Sequence, residues 1–338
     1  MAHIEPHKMV QWLRSRWRAL LWNGAKVVLG LGLVWIVLMQ TTWTQFWLTV
    51  QTVSPVWLVL AAAAFYAQIV FLARRYWIPV RQQIRFQDML TVTVVQTAVG
   101  NLVATGVGAI AYVALLKGQH QIRLTTGIGS LLLARFGDAI VLSIVLAVTA
   151  VWSWQDLGVW QWVVAVVLLL MLAGLSLVGL VIVLRAAFVN WLGVLVRKLG
   201  IARFSFVQRA WAGLDELAMA DREAVKPLLW STLYYSVWVN GLSILLMWCF
   251  VRAFDLPLDV VAVCFAIAVT QLMFLVPIHI MGGLGVFDVT MLSLLVQFGV
   301  NAATGAAFLV AWRLLFYGLN VLMLAYVPVA NWVDLRVR

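Results

Sequence analysis

Long apolar runs separated by short polar segments dominate the chain, and they predict an all-helical protein that crosses a membrane several times. A helix needs about 20 apolar residues to cross the ~30 Å hydrocarbon core of a bilayer. Six runs reach that length, and two further apolar segments are interrupted by glycine, which makes eight hydrophobic segments. The six spanning helices are predicted near 24–41, 55–73, 127–151, 160–184, 227–250 and 304–328.

The two interrupted segments occupy corresponding places in the two halves of the chain. They cover 89–116 and 260–298. Unwound backbone is tolerated at membrane depth only where it lines a cavity or is buried in protein, so paired interruptions are typical of a transport site. In each half an arginine follows the break inside the next apolar helix. It comes 27 residues after Gly108 in the first half and 28 residues after Gly285 in the second.

Composition excludes a soluble globular protein. Hydrophobic residues make up 65% of the 338 residues and charged residues only 10%, whereas soluble domains are roughly 25% charged. The net charge of +11 does not indicate a nucleic-acid partner, because lysine and arginine collect in the cytoplasmic loops of membrane proteins. The two cysteines show no metal-ligand spacing.

The distribution of lysine and arginine predicts how the segments are threaded. With the N-terminus in the cytoplasm, the uncharged loop 40–54 lies outside, and loop 74–88 with its four arginines lies inside. The later loops keep this alternation only if each interrupted segment enters and leaves on one face, as a re-entrant hairpin. Then 20 of the 23 basic residues lie inside and Arg252 lies outside, while Arg135 and Arg313 fall within helices.

This threading predicts an all-α polytopic membrane protein with six spanning helices and two re-entrant helical hairpins, arranged as an inverted-topology repeat. Residues 1–338 form one integral membrane domain, with a first half of about 1–151, a second half of about 160–338 and a basic cytoplasmic connector of about 185–226. Both termini are predicted to be cytoplasmic, in a bacterial inner membrane. The open alternative is that each interrupted segment crosses once as a kinked helix.

The residues around the two breaks resemble those of the lysylphosphatidylglycerol synthase transmembrane (flippase) family, and the resemblance covers nearly the whole chain. The motifs that carry it are Pro277 followed by Gly282-Gly283-Leu284-Gly285, then Asp288 and Arg313, and in the first half Asn101, Gly106-Val107-Gly108 and Arg135-Phe136-Gly137-Asp138. The chain lacks the family's early proline and Gly-Gly-acidic run, and it carries Asp288 where the family often has Glu. The resemblance implies movement of a polar or charged lipid between leaflets. We expect the membrane half alone, without the aminoacyl-transfer domain of the bifunctional members.

A headgroup-binding site is predicted where the two breaks meet near the midplane of the membrane. Placing an isolated charge at that depth costs roughly 3 kcal/mol, so a group of opposite charge is expected nearby. A guanidinium binds a phosphate group through two parallel hydrogen bonds, and Arg135 and Arg313 are therefore candidate residues for binding an anion. An ion pair with Asp138, at i+3, is an equally open role for Arg135, and Asp288 is a through-space partner for Arg313. The other candidates are break residues and nearby amides: Gln96, Asn101, Gly106, Gly108, Gln271, Pro277, His279, Gly283 and Gly285.

These features together predict a flippase or transporter for an anionic phospholipid or polyprenyl-phosphate-type lipid. The sequence shows no nucleophile–base pair, metal-ligand spacing or Walker loop, so we expect neither an enzyme nor a cofactor. One alternative is a non-transporting partner that holds a lipid-modifying enzyme or glycosyltransferase through the basic stretch 185–226. A membrane enzyme acting on a lipid-linked substrate and a small-solute transporter are further alternatives. A homodimer and a lipid-synthesis enzyme are open hypotheses for its protein partners.

Overall fold

The computed structural model describes residues 43–51, 53–174, 176, 222–273, 285–328 and 330. Helices, turns and irregular segments account for these residues, and no strand occurs among them. The helices are α1 Trp43–Gln51, α2 Pro55–Trp77, α3 Phe86–Leu102, α4 Thr105–His120, α5 Leu124–Trp152, α6 Trp160–Gly174, α7 Arg222–Ala253, α8 Val260–Met273, α9 Val286–Gln297 and α10 Ala302–Leu324.

Four helical segments of the described residues are long and apolar enough to cross a membrane. They are Pro55–Val80, Thr126–Trp152, Pro227–Ala253 and Ala302–Pro328. They coincide with four of the six predicted spans, and the all-helical membrane class is therefore confirmed. The predicted span at 24–41 lies outside the described residues, and the one at 160–184 is described only as α6 and residue 176.

Helices α2 and α7 form the largest helix–helix interface of the described residues. Gln68 of α2 donates to the backbone oxygen of Val239 on α7 at 3.2 Å, and α2 also carries small buried residues such as Ala61 and Ala64. On α7, the buried polar residues Ser236, Asn240 and Ser243 recur at i, i+4 and i+7, which places them on one face of the helix. Small and polar side chains are favoured at helix interfaces in membranes because they permit close approach and cross-helix hydrogen bonds.

The two halves of the chain interleave. The helix that follows the first interrupted segment, α5, packs on α8, the first arm of the second interrupted segment. Reciprocally, α10, which follows the second interrupted segment, packs on α3, the first arm of the first interrupted segment. The first arm of each interrupted segment therefore packs against a helix of the other half.

The first break is a tight connection between two helices. Helix α3 ends at Leu102, α4 begins at Thr105, and the two helices pack against each other. A Cβ on Gly108 would come within 2.6 Å of the Gln96 backbone oxygen and 2.7 Å of the Gly100 Cα. Only glycine permits this approach of two backbones without a shift.

The described structure corrects the predicted end of the second helix. Helix α2 continues to Trp77 and into the 3-10 turn Ile78–Val80, so Arg75 belongs to the helix and not to a cytoplasmic loop at 74–88. Its side chain is buried, with 4% of its surface exposed. It is tolerated there because Asp138 on α5 supplies the opposite charge.

Helices α8 and α9 flank the second break. They contain 14 and 12 residues, which is shorter than the roughly 20 residues needed to cross a membrane, and they pack against each other. Residues 274–284 of the break lie outside the described residues. The candidate site residues Pro277, His279 and Gly283 belong to that segment.

Candidate functional site

A cavity of about 480 Å³ lies among α2, α3, α4, α5, α7 and α8, with side chains of α9 and α10 on its wall. This volume falls within the usual range for small-molecule sites. The second half contributes aromatic side chains to the wall, namely Phe287, Trp312 and Phe316. The charged and amide side chains of the lining are Gln68, Arg75, Gln96, Asn101, Arg135, Asp138, Asn240 and Gln271.

Arg135 lines this cavity from the middle of α5, and its side chain is exposed. Within the described part of the chain no carboxylate forms an ion pair with it, and Asp138, its predicted neighbour at i+3, contacts Arg75 instead. The alternative of an internal Arg135–Asp138 pair is therefore not the arrangement observed. Arg135 presents a full positive charge to the cavity.

Arg75 and Asp138 form a buried ion pair in the cavity wall. Both guanidinium Nη atoms donate to the carboxylate, and the Nη2 to Oδ2 distance is 3.2 Å. Ser236 accepts from Arg75 Nη1 at 2.9 Å, and Asn240 donates to Asp138 Oδ1 at 2.9 Å. The charges of Arg75 and Asp138 neutralise each other. The hydrogen bonds of Ser236 and Asn240 add α7 to this contact, so the network holds α2, α5 and α7 together at the cavity.

Arg313 and Asp288 form a second buried ion pair, between α10 and α9. The Arg313 Nε and Nη2 atoms donate to the two carboxylate oxygens at 2.8 and 3.0 Å. Asp288 also accepts from the backbone N–H of Gly285 at 3.0 Å, where the backbone φ is +87°. The rings of Phe287 and Trp312 lie about 5 Å from the guanidinium carbon. Asp288 therefore occupies the edge of the Arg313 guanidinium formed by Nε and Nη2.

Two neutral hydrogen bonds connect break regions to the rest of the site. Asn101, next to the end of α3, donates to Asn320 Oδ1 on α10 at 2.9 Å, and Asn320 is completely buried. Gln271 near the end of α8 donates to Ser243 on α7 at 3.0 Å. The end of α3 is thus held by α10, and the end of α8 by α7.

The predicted site residues separate into three groups in the structure. Those that line the cavity together are Gln96, Asn101, Gly108, Arg135, Asp138 and Gln271. Gly106, Gly285, Asp288 and Arg313 are not part of the described lining: Gly106 faces open space on α4. Asp288 and Arg313 form the second ion pair, and the Gly285 N–H donates to Asp288. Pro277, His279 and Gly283 lie outside the described residues.

Sequence reasoning missed Arg75, Asn240 and Ser243, which all line the cavity. A signal for the two α7 residues was present, because Ser236, Asn240 and Ser243 recur at helical spacing within an apolar run. Arg75 was missed because the predicted helix ended at residue 73, two residues before Arg75, whereas α2 continues to Trp77. Within the described residues no group of His, Cys, Asp and Glu side chains is arranged to hold a metal ion.

We compared the chain with models of protein families and with curated protein sequences, and only the first comparison finds a match. The family model of the lysylphosphatidylglycerol synthase TM region matches residues 24–323, which is most of the chain. No curated protein sequence matches the chain.

Proposed function

We propose, on the premise that the chain belongs to the lysylphosphatidylglycerol synthase transmembrane family, that it moves a lipid with an anionic headgroup between the leaflets of a bacterial inner membrane. The observation that carries this proposal is Arg135, which faces a 480 Å³ cavity without a counter-ion among the described residues. We propose a transport role and not an enzymatic one.

The charge of Arg135 favours an anionic ligand on energetic grounds. Placing an isolated arginine at the centre of a bilayer costs about 2.5–3.5 kcal/mol on insertion scales. The other two charged side chains of the described lining, Arg75 and Asp138, neutralise each other. A phosphate group bound by the Arg135 guanidinium would supply the missing negative charge with two parallel hydrogen bonds.

The surface around Arg135 supports a lipid over a small water-soluble anion. Ile128 and Leu132 lie on the same face of α5 as Arg135, at spacings of seven and three residues, and both line the cavity. Both residues are also solvent-accessible, with 43% and 57% of their surface exposed. A headgroup can therefore occupy the polar cavity while the acyl chains pass over apolar side chains into the bilayer.

Re-entrant threading of the first interrupted segment is part of the proposal. Helices α3 and α4 contain 17 and 16 residues, which corresponds to about 25 Å each at 1.5 Å per residue. Arg85 lies just before α3, and Lys117 and His120 lie in the last turn of α4. Basic residues at both outer ends favour a hairpin that enters and leaves on the cytoplasmic face.

The packing of the helices supports an inverted repeat. Helix α2 corresponds to α7, the pair α3 and α4 to α8 and α9, and α5 to α10. When the two halves are exchanged under this correspondence, the α5–α8 interface becomes the α10–α3 interface and the reverse. The α2–α7 interface remains the same interface. Such reciprocal interfaces are expected of two halves related by a pseudo-two-fold axis, which is the architecture of many transporters.

Reconstitution into liposomes tests the proposal directly. Vesicles with fluorescent phosphatidylglycerol in both leaflets are treated with a membrane-impermeant quencher, and loss of the inner-leaflet signal reports movement across the bilayer. We expect the protein to accelerate this loss relative to protein-free vesicles and to have a smaller effect on phosphatidylcholine. Equal rates with and without protein, for anionic phospholipids and for a polyprenyl phosphate, would contradict the proposed function.

A further inference from the structure

We infer that Arg75 is a positioning residue for the proposed transport, and that its role is to keep the Asp138 carboxylate away from Arg135. This inference rests on the proposed function, in which the charge of Arg135 binds the headgroup of the lipid. It adds that this charge is available because Arg75, with Ser236 and Asn240, binds the carboxylate that would otherwise neutralise it.

Arg75 and Arg135 compete for the same carboxylate. Asp138 is the only acidic side chain of the described lining, and both arginines line the same cavity. Asp138 follows Arg135 on α5 by three residues, a spacing at which the side chains of a helix are neighbours and opposite charges attract. The carboxylate nevertheless contacts Arg75, which is 63 residues away in the sequence.

The contact with Arg75 is the stronger one because it is bidentate and shielded from water. Both Nη atoms of Arg75 donate to the carboxylate, with a distance of 3.2 Å between Nη2 and Oδ2. The side chain of Arg75 is 3% exposed and that of Asp138 is 13% exposed, and charges attract more strongly where water is scarce. Arg135 is exposed, so it offers the carboxylate a weaker contact.

Helix α7 fixes the direction of the Asp138 carboxylate. The Asn240 side-chain amide donates to Asp138 Oδ1 at 2.9 Å and to the backbone oxygen of Ser236 at 2.8 Å. These two contacts use both N–H bonds of the amide, so its orientation is set. Ser236 Oγ accepts from Arg75 Nη1 at 2.9 Å. The same helix therefore holds both members of the ion pair.

Gly137 allows α5 to approach α7 closely enough for these contacts. A Cβ on Gly137 would lie 2.5 Å from Ser236 Oγ and 3.2 Å from Thr232 Cγ2. Ser236 is completely buried and Thr232 is 3% exposed, and side chains in a close-packed interior have little room to move. The residue next to Asp138 thus lies against the helix that carries Asn240.

The identity of residue 75 determines where the charge of the lining lies. With two arginines and one aspartate, the described lining has a net charge of +1, located on Arg135. Arg75→Met frees Asp138 to pair with Arg135 and leaves the lining neutral. Arg75→Lys keeps a cationic partner for Asp138. Arg75→Met/Asp138→Leu restores the net charge of +1 and leaves no carboxylate in the described lining.

The test is the ratio of phosphatidylglycerol to phosphatidylcholine movement in liposomes. We expect Arg75→Met to lower this ratio about tenfold or more, the factor for the loss of one hydrogen bond to a charged group. Arg75→Lys should keep most of the wild-type ratio, and Arg75→Met/Asp138→Leu should recover it. Because the readout is a ratio within one protein preparation, a partial loss of folded protein does not affect it.

The second buried ion pair provides the matched control. Arg313→Met and Arg313→Met/Asp288→Leu remove the same chemical groups from a pair that is not part of the described lining. Both variants should keep the wild-type ratio, whatever their effect on stability. A purely structural role for Arg75 predicts that Arg75→Met behaves as Arg313→Met does.

A variant on the exposed side of α5 tests the same competition with the buried pair intact. Leu132 precedes Arg135 by three residues and is 57% exposed, so Leu132→Glu places a carboxylate beside Arg135. It should lower the ratio as Arg75→Met does, and Leu132→Gln should lower it much less. This comparison decides the matter if Arg75→Met does not yield folded protein.

The outcomes separate this inference from the function on which it rests. A wild-type ratio in Arg75→Met or in Leu132→Glu would overturn the inference and leave lipid transport standing. A folded Arg75→Met/Asp138→Leu variant that does not recover the ratio would also overturn it. Protein-dependent movement of neither lipid by the wild-type protein, nor of a polyprenyl phosphate, would overturn the proposed function and the inference together.

Discussion

Arg135 and Arg313 follow the two breaks at nearly equal spacing, but their surroundings differ. Arg313 is 7% exposed and makes a bidentate contact with Asp288, so its charge is neutralised inside the protein. Arg135 is exposed to the cavity and has no described counter-ion. At the scale of single residues, we therefore expect Arg313 to stabilise the fold and Arg135 to be available to a ligand.

Replacing Arg313 should destabilise the protein. Arg313→Met leaves Asp288 buried without its partner, and removal of one member of a buried pair typically costs about 3–5 kcal/mol. Thermal unfolding of the purified protein in detergent measures the loss. The double variant Arg313→Met/Asp288→Leu should recover most of it, since no charge is then left buried.

The matched control for Arg313 is Arg252, an exposed arginine on α7. Arg252→Met should change the unfolding free energy by no more than about 0.5 kcal/mol, as is usual for surface positions. A melting temperature of Arg313→Met equal to that of the control would show that the ion pair does not stabilise the protein.

At the scale of elements, the hairpin of α3 and α4 depends on the contact of two backbones at Gly108. Gly108→Ala should destabilise the protein by about 1–3 kcal/mol, because the added methyl group overlaps the backbone of α3. Gly106→Ala in the same helix has no atom within 4 Å of its new methyl group, so it should be neutral or slightly stabilising. Chemical unfolding in detergent compares the two variants, and equal effects would be evidence against the close packing.

Helix α10 is the element that connects the two break regions. Arg313 and Asn320 are seven residues apart, and so lie on one face, where one binds Asp288 after the second break and the other binds Asn101 at the first. A double-mutant cycle of Asn101→Ala and Asn320→Ala should give a coupling energy of about 0.5–3 kcal/mol, as for residues in direct contact. Additive losses in unfolding free energy would mean that the two side chains do not interact.

At the scale of the whole molecule, re-entrant threading predicts which faces its turns occupy. In a background without the native cysteines, Gln82→Cys before α3 and Gln121→Cys after α4 should both react with a membrane-impermeant thiol reagent from the cytoplasmic side. Gln155→Cys, after α5, should react from the opposite side. All three glutamines are exposed. Labelling of Gln82→Cys and Gln121→Cys from opposite faces would favour a kinked spanning helix at 89–116.

The sequence predicted those features of the fold that depend only on residues close together in the chain. Apolar runs of fixed length predicted the four described membrane-length helices. The glycines predicted a break across residues 100–108, and the structure narrows it to the two residues between Leu102 and Thr105. The state of each arginine was not predictable in this way. Arg135 is without a described partner because Asp138 binds Arg75, which is 63 residues away in the sequence. That contact depends on how α2 and α5 pack, and no local pattern reports it.

Local sequence patterns also did not predict that the two halves of the chain interleave. Nothing in the apolar runs indicates that α5 packs on α8 or α10 on α3. The polar residues of α7 gave a partial signal, since Ser236, Asn240 and Ser243 share a face. Their partners, Arg75 and Gln271, could be identified only once the helices were placed in space.

The central claim is that the positive charge of Arg135 binds the headgroup of the transported lipid. The most direct test is the rate of phosphatidylglycerol movement in liposomes for Arg135→Gln and for the control Arg252→Gln. We expect Arg135→Gln to be about ten- to a hundredfold slower than wild type, because a hydrogen bond to a charged group contributes about 1.5–3 kcal/mol. We expect its melting temperature and the rate of Arg252→Gln to be unchanged. A wild-type rate in Arg135→Gln would contradict the account.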